Sequence, residues 1–166
     1  EAPPALDAPN TLFYRKSRFQ LLAQSGCWLS DTPDTPGSRS WGSAYIRLAN
    51  WALLQHTASN KRVRIINTHL EDNNPPVAVQ QVQVMAQHIP PANTGELQII
   101  TGDMNSDVNS PALQFLFDNG WHDTYNTVHH THNPGYTFHA FQGEQYSGDI
   151  QGKIDWILTR GHTHVL

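Results

Sequence analysis

Residues 97–105 read LQIITGDMN, and this stretch decides the fold that the sequence predicts. Its first five residues form a largely apolar run of the length typical of a short buried strand, and the run leads into Gly102. Asp103 follows directly, with Asn105 two residues later. The stretch therefore predicts a buried strand that delivers a carboxylate and a carboxamide into the loop beyond its end.

The flanking residues predict further strands mixed with two helices. Upstream, residues 43–56 and 63–70 have the pattern of neighbouring antiparallel strands joined by a polar turn. Helices are predicted after Asn74 and after Ser110, because each of these capping residues is followed by proline and then by apolar residues at helical spacing. Such a mixture indicates an α/β sandwich, not a helical bundle.

The remaining segments are predicted from turn chemistry and short apolar runs. Residues 30–40 and 122–134 are expected to be exposed polar loops, because they are rich in turn-forming or polar residues. Additional strands are predicted at residues 11–14, 19–22, 136–141 and 153–159, the first two forming a hairpin. No repeat or linker interrupts the chain, so residues 1–166 are predicted to form one domain.

Composition narrows the class of protein. With 38% hydrophobic and 14% charged residues, the 166-residue chain is expected to fold around a core. A net charge of −4 gives no overall basic field of the kind that attracts nucleic acid, so any such contact would depend on a local basic patch. The single Cys27 excludes an intrachain disulfide and a paired-cysteine zinc site. No apolar run reaches the ~18 residues that indicate a membrane span.

Three predicted strands carry polar residues at or near their ends: NTHL at residues 67–70, GDMN at 102–105, and KIDWI at 153–157. They bring together an imidazole, a carboxylate with a nearby carboxamide, and a second carboxylate. A carboxylate can hold or deprotonate water, an amide can orient it, and an imidazole can stabilise a charged phosphorane. The residue types therefore fit metal-assisted hydrolysis of a phosphoester.

Each of these residues also has a purely structural interpretation. Asp103 and Asn105 can build a strand-to-helix turn, since both types cap helices and tolerate unusual backbone angles. Asp155 can form a buried pair with a nearby Lys or Arg, and His69 can be a hydrogen-bonded structural histidine. The tryptophans are expected in the core and not as platforms for stacking bases; they are Trp28, Trp41, Trp51, Trp121 and Trp156.

A cluster of histidines in the predicted loop invites a zinc assignment. These are His129, His130 and His132, in a segment flanked by proline and glycine. A structural zinc site normally has fixed ligand spacing and often uses cysteine. We therefore expect a solvated loop without a bound transition metal.

Four motifs in order, NTHL, GDMN, YTFH at residues 136–139 and KIDWI, resemble those of the endonuclease/exonuclease/phosphatase superfamily. Residues 13–30 also resemble one bacterial branch of it. The resemblance covers nearly the whole chain. It implies the deoxyribonuclease-I-like α/β fold, a two-sheet β-sandwich flanked by helices with the reaction at one edge.

The resemblance also implies catalytic roles. Asp103 would activate water or bind metal, and Asn105 would position phosphate or water and bind metal. His69 would neutralise charge on the phosphate or help the leaving group. Asp155 would orient a histidine. The implied cofactor is Mg²⁺ or Mn²⁺, which prefer such oxygen donors.

Arg47, Phe138 and His139 are further candidates for substrate binding, with ordinary surface or core roles as the alternative for Arg47 and His139. The expected partner is a phosphorylated small molecule, a lipid head group or a nucleic acid. The acidic balance favours a small phosphorylated molecule over long DNA, and a nuclease acting on DNA or RNA is the alternative enzyme.

The chain departs from the family pattern in three places. The family's Asn and Glu metal ligands, expected before Leu12, and its Ser-Asp-His motif, expected after Asp155, have no counterpart, and Glu71-Asp72 stands where Asp-His is usual. The expectation is a partial domain, incomplete at both ends, with weak or no activity by itself. The alternative is a non-catalytic fragment or scaffold, and exposed strand edges are expected to permit self-association.

Overall fold

The computed structural model describes residues 10–148 and 152–161, whose strands form one mixed sheet. The six strands lie in the order β1-β2-β3-β4-β6-β5. Their bounds are β1 Phe19–Trp28, β2 Leu48–His56, β3 Arg62–His69, β4 Leu97–Asp103, β5 His122–Asp123 and β6 Asp155–Arg160. The helices are α1 Pro75–His88, α2 Pro111–Asp118 and α3 Thr124–His129, with a short 3₁₀ turn at Gly143–Gln145.

Strands β3 and β4 are the parallel pair, and the other four pairings are antiparallel. Helix α1 lies in the crossover between β3 and β4, as a parallel connection requires. Its first turn holds two prolines, which need no hydrogen-bond partner there, and α2 begins where the Ser110 hydroxyl accepts the Leu113 N–H. The parallel pair sends β3 and β4 to the same edge, where the polar motifs follow.

The core lies between the sheet and helices α1 and α2. Ile66, Ile100 and Leu158 are paired across β3, β4 and β6 and are completely buried on this face. They pack with side chains from the two helices, including Val82, Met85, Leu113 and Leu116. Because side chains alternate along a strand, the residues next to them point to the opposite face. Ile157 lies there and is 54% exposed.

These observations confirm the α/β class, the antiparallel pairing of the strands before α1, and both predicted helices. Of the expected two-sheet sandwich, the described residues contain one sheet. No helix among them is long and apolar enough to cross a membrane. Trp121 and Trp156 are in the core, as predicted, while the other three tryptophans are partly exposed.

Several local predictions were wrong. Residues 11–14 form no strand, so the predicted hairpin with β1 is absent, and regular pairing in β2 begins at Leu48 and not at residue 43. Residues 136–141 are also irregular, because Ala140 and Phe141 have φ of 46° and 61°, which no strand accommodates.

The predicted loop at residues 122–134 instead contains β5 and α3. Within this polar sequence Asp123 is buried, at 3% exposed, and its carboxylate accepts the Tyr125 N–H at the start of α3. A capping carboxylate of this kind stabilises a helix whose own residues have little apolar periodicity.

Self-association through strand edges stays a prediction.

Candidate active site

Three of the predicted catalytic residues lie in one row across neighbouring strands. His69 at the end of β3 is paired with Asp103 at the end of β4, and Asp103 is paired with Asp155 at the start of β6. The Nε2 atom of His69 is 3.6 Å from Oδ2 of Asp103. The strand register therefore brings an imidazole and two carboxylates to the same edge and face of the sheet.

Gly102 makes this close approach of β3 and β4 sterically possible. It has φ of +145°, and a Cβ atom at this position would overlap the carbonyl oxygen of Thr68. Any other residue would push the two strands apart immediately beside His69 and Asp103. The glycine of the GDMN motif is thus explained by packing between strands.

Asn105 fixes the loop that follows β4. It adopts the left-handed conformation with φ of 46°, its N–H donates to Oδ1 of Asp103 at 2.8 Å, and its side-chain Nδ2 donates to the Leu70 carbonyl at 2.9 Å. The structural role of Asp103 and Asn105 as a turn is therefore real. The turn still leaves Oδ2 of Asp103 on the side of His69.

A cavity of about 330 Å³ opens over these residues. Arg47 forms one wall and is only 4% exposed, with its guanidinium carbon 4.8 Å from the centre of the Tyr45 ring. The lining consists of Tyr45, Arg47, His69, Asp72, Asp103, Asn105, Phe138 and Ile154. The buried Arg47 guanidinium and the Asp103 carboxylate therefore line the same small cavity.

The electrostatics of Asp103 combine burial with charges of both signs. Burial has the largest effect and raises the pKa of the carboxyl, and the nearby Asp155 raises it further. The Asn105 N–H, His69 and Arg47 act in the opposite direction. The net result is a pKa above the ordinary value of 3.8, which makes Asp103 a better proton acceptor than an exposed aspartate.

Asp155 lies beside the cavity and not in its lining. Its side chain is exposed, and its N–H donates to the Thr137 hydroxyl at 3.0 Å, as does the N–H of Ile154. The alternative of a buried ion pair for Asp155 is therefore wrong. Lys153 pairs with Asp123 instead, at 2.7 Å. Asp155 also lines a second, larger cavity of about 630 Å³ on the same side of the sheet.

The two aromatic candidates of the YTFH motif are separated by the structure. Phe138 lines the cavity, and its ring contacts Tyr146 edge-on at 5.8 Å between centroids. His139 is exposed and is not among the lining residues; its Nδ1 accepts the Gly143 N–H at 3.4 Å. The assignment of His139 to substrate binding stays a prediction without geometric support.

Sequence reasoning missed three residues of the lining, Tyr45, Asp72 and Ile154. Tyr45 falls in the strand predicted at residues 43–56, although its position two residues before Arg47 is a usable signal. Asp72 was noted only as a departure from the family pattern. All three lie in irregular segments, where strand and helix periodicity gives no information on the direction of a side chain.

The three histidines of the segment after β5 have separate local surroundings. His129 contacts Tyr125 with ring centroids 4.2 Å apart, and His130 ends α3 in the left-handed conformation. His132 places Nδ1 2.9 Å from Oδ2 of Asp123. In residues 10–148 and 152–161, no three His, Cys, Asp or Glu side chains are grouped closely enough to hold a metal ion.

No protein-family model matches this sequence, and no curated protein sequence matches it significantly. Its structure is nevertheless similar to solved structures. An endonuclease/exonuclease/phosphatase from Bacteroides vulgatus is 26% identical with a TM-score of 0.75, over 89% of this chain and 56% of that one. A mannosyl-6-phosphatase from Bacteroides thetaiotaomicron is 21% identical with a TM-score of 0.75, over 89% and 55%.

A more distant similarity links the chain to D. rerio TDP2 complexed with a single-strand DNA product. That structure is 20% identical with a TM-score of 0.61, over 88% of this chain and 55% of that one. The chain therefore spans about half the length of the solved structures that it matches. With its ordered motifs on this shared fold, the chain belongs to the endonuclease/exonuclease/phosphatase superfamily.

Proposed function

We propose that this chain carries part of the catalytic site of a divalent-metal-dependent hydrolase that cleaves a phosphomonoester or phosphodiester with an activated water. The observation that supports this most strongly is the row of His69, Asp103 and Asp155, with Arg47 buried in the wall of the cavity that His69 and Asp103 also line. A proton acceptor and a phosphate-binding cation face one small space. Phosphoryl transfer requires little more than such positioning and charge stabilisation.

In this proposal Asp103 accepts the proton of the attacking water through Oδ2, because Oδ1 is engaged by the Asn105 N–H. Arg47 binds the phosphate oxygens, for which its planar guanidinium is well shaped. His69 stabilises the negative charge that develops on the phosphorane. Asn105 orients the water or the phosphate with its carboxamide oxygen, and Asp155 orients a histidine.

The donor chemistry around Asp103 fits Mg²⁺ or Mn²⁺. Asp103 and Asn105 would supply oxygen ligands, and a bound cation would neutralise phosphate charge and make the water more acidic. The described residues do not group three ionisable ligand side chains at one point. We therefore propose that Asp103 and Asn105 supply only part of the coordination and that the 166-residue chain alone turns over slowly.

The size of the cavity favours a small phosphorylated molecule, such as a sugar phosphate or a lipid head group, over long nucleic acid. A volume of about 330 Å³ lies at the lower end of the range for small-molecule sites. Among the described residues that line the cavity, one is an arginine, Arg47, and none is a lysine. A nucleic-acid site would be expected to track the backbone with several basic side chains. The similarity to TDP2, whose structure contains DNA product, keeps a nuclease as the alternative.

The test is a panel of phosphate-release and cleavage assays with and without Mg²⁺. The substrates are p-nitrophenyl phosphate, bis-p-nitrophenyl phosphate, a hexose 6-phosphate and a single-stranded oligonucleotide, offered to this chain and to a form of the protein extended at both ends. We expect Mg²⁺-dependent turnover by the extended form, slower turnover by this chain, and a rate lower by about 10²–10⁴ for Asp103→Asn in either. Inactivity of both forms on all substrates would support the scaffold alternative and contradict the proposal.

A further inference from the structure

Glu71 is a buried charged residue to which the proposed reaction gives no role. It is 2% exposed, and its carboxylate oxygen Oε2 accepts two hydrogen bonds, from the Ser43 hydroxyl at 2.6 Å and from the Ala44 N–H at 2.9 Å. The Glu71 N–H donates to the side-chain oxygen of Gln81, whose Nε2 lies 3.3 Å from the Ser43 hydroxyl. The four residues form a closed polar network under the end of β3.

This network joins two walls of the cavity. On one side, Ser43 and Ala44 come directly before Tyr45, and Arg47 follows two residues later. On the other side, Glu71 lies between His69 and Asp72, which also line the cavity. The third attachment is Gln81, buried on helix α1. Movement of the segment at residues 43–47 relative to β3 would therefore require these hydrogen bonds to break.

Other hydrogen bonds also hold the segment at residues 43–47: Arg39 Nη1 donates to the Ala44 carbonyl at 2.8 Å, and the Leu29 N–H donates to the Arg47 carbonyl at 2.8 Å. Neither of these two contacts joins the segment to the end of β3, as the hydrogen bonds of Glu71 do. The segment is irregular apart from a single bridge at Ile46, and Ala44 and Tyr45 are exposed. A buried carboxylate without its donors would be costly, so Ser43 and Ala44 are held strongly in place. Burial has the largest single effect and would raise the pKa of Glu71, but its hydrogen bonds together outweigh burial and keep the pKa below 4.5, so the group is ionised at neutral pH. The largest of these hydrogen-bond effects come from Ser43 and Ala44, and smaller ones come from Asp72 and Asn73.

We infer that Glu71 is a positioning residue that fixes the segment at residues 43–47, so that Arg47 and its stacking partner Tyr45 face the phosphate site. The expected effect on phosphate binding rests on the proposed function, whereas the positioning of residues 43–47 by Glu71 does not. Glu71 acts through Arg47 and does not contact the substrate. Its loss is expected to weaken substrate binding more than the chemical step.

The chain offers a matched control in Glu96. It is also buried, at 3% exposed, and its carboxylate binds Arg64 at 2.7 Å and Asn93 at 2.9 Å. It precedes β4, so it lies at the opposite end of that strand from Asp103. Glu96→Gln therefore removes a comparable buried carboxylate without touching the cavity. Any effect specific to Glu71 cannot then be attributed to general destabilisation.

The experiment compares wild type, Glu71→Ala, Glu71→Gln and Glu96→Gln by two measurements on folded protein. Amide and arginine side-chain NMR shifts report the segment at residues 43–47, and titration with inorganic phosphate reports anion affinity. We expect Glu71→Ala to move the Tyr45 and Arg47 signals and to weaken phosphate binding about tenfold, the scale of one charge-assisted hydrogen bond. Glu71→Gln should be milder because its amide oxygen can still accept, and Glu96→Gln should change neither.

Turnover of a phosphodiester by the extended form adds a third measurement, in which Glu71→Gln should raise KM more than it lowers kcat. If Glu71→Ala does not fold, Glu71→Gln against Glu96→Gln decides the result. Unchanged Tyr45 and Arg47 signals in a folded Glu71 variant would overturn the inference. If wild type binds no phosphate and shows no turnover, the proposed function fails, while the NMR comparison still decides whether Glu71 positions Arg47.

Discussion

His69 and Asp103 are partners across the parallel strands β3 and β4, with Nε2 of the histidine 3.6 Å from Oδ2 of the aspartate. The distance is longer than a hydrogen bond, so each side chain can still face a third group. Because the pair sits at the ends of two central strands, its geometry is fixed by the sheet and not by a mobile loop.

Replacing Asp103 with asparagine is expected to remove most of the catalytic activity without harming the fold. The amide oxygen can still accept the Asn105 N–H, but it cannot take a proton from water, so turnover by the extended form should fall by about 10²–10⁴. The check is initial-rate kinetics with a soluble phosphodiester at saturating Mg²⁺. Activity of Asp103→Asn within a factor of about three of wild type would exclude Asp103 as the base.

The thermal stability of Asp103→Asn relative to wild type is expected to depend on pH. The folded-state pKa of Asp103 is raised above the ordinary 3.8, so the ionised form destabilises the native state once the pH exceeds that value. Asp103→Asn should therefore melt at the same temperature as wild type, or higher, at pH 7, and lose any advantage below pH 3.8, where aspartate is protonated in both states. Thermal melts across this pH range measure it. A lower melting temperature at pH 7 would contradict the sign.

Lysine is expected to replace Arg47 only in part in substrate binding. Arg47→Ala is expected to lower kcat/KM by about 10²–10³, the cost of one transition-state donor. Arg47→Lys should recover only part of this, because an ammonium cannot present a planar fork or stack in the same way on Tyr45. Arg62→Ala, an exposed arginine at the start of β3, is the control and should behave as wild type. Full activity in Arg47→Lys would mean that only the charge matters.

The ion pair of Asp123 and Lys153 is expected to be a main determinant of stability around β5 and β6. Their side chains are 0% and 7% exposed, and the lysine also lies 4.0 Å from the Trp156 ring. Asp123→Asn leaves a buried cation without its counter-charge and should cost about 3–5 kcal/mol in urea unfolding. Adding Lys153→Met should restore part of the loss. Equal stability of the single and double variants would show that the charges do not interact.

Glu96 should contribute stability that acid removes. Burial would raise its pKa, but hydrogen bonds from Arg64 and Asn93 outweigh burial and lower the pKa below 4.5. The contribution is therefore complete above pH 4.5 and is lost as the pH falls through the lower folded-state value. Glu96→Gln should be less stable than wild type at pH 7, with the gap closing on acidification. A gap independent of pH would attribute the effect to packing alone.

Local pattern was sufficient for those parts of the molecule that depend on neighbours in sequence. The apolar run before Gly102 predicted β4, and the capping residues with following prolines predicted α1 and α2. Where capping by a buried side chain replaced apolar periodicity, as in α3 after Asp123, the pattern predicted a loop and was wrong. A strand was likewise predicted at residues 136–141, where the left-handed Ala140 and Phe141 prevent one.

By itself, the sequence determined which residue types stand at the ends of which strands, and hence the proposed chemistry of Asp103, Asn105 and His69. Only the tertiary structure decided that Arg47 and Tyr45 face them, that His139 does not, and that Glu71 ties the two walls together. The reason is physical: periodicity records which side of its own element a residue occupies, whereas strand register and hydrogen bonds between distant segments depend on how the whole chain packs.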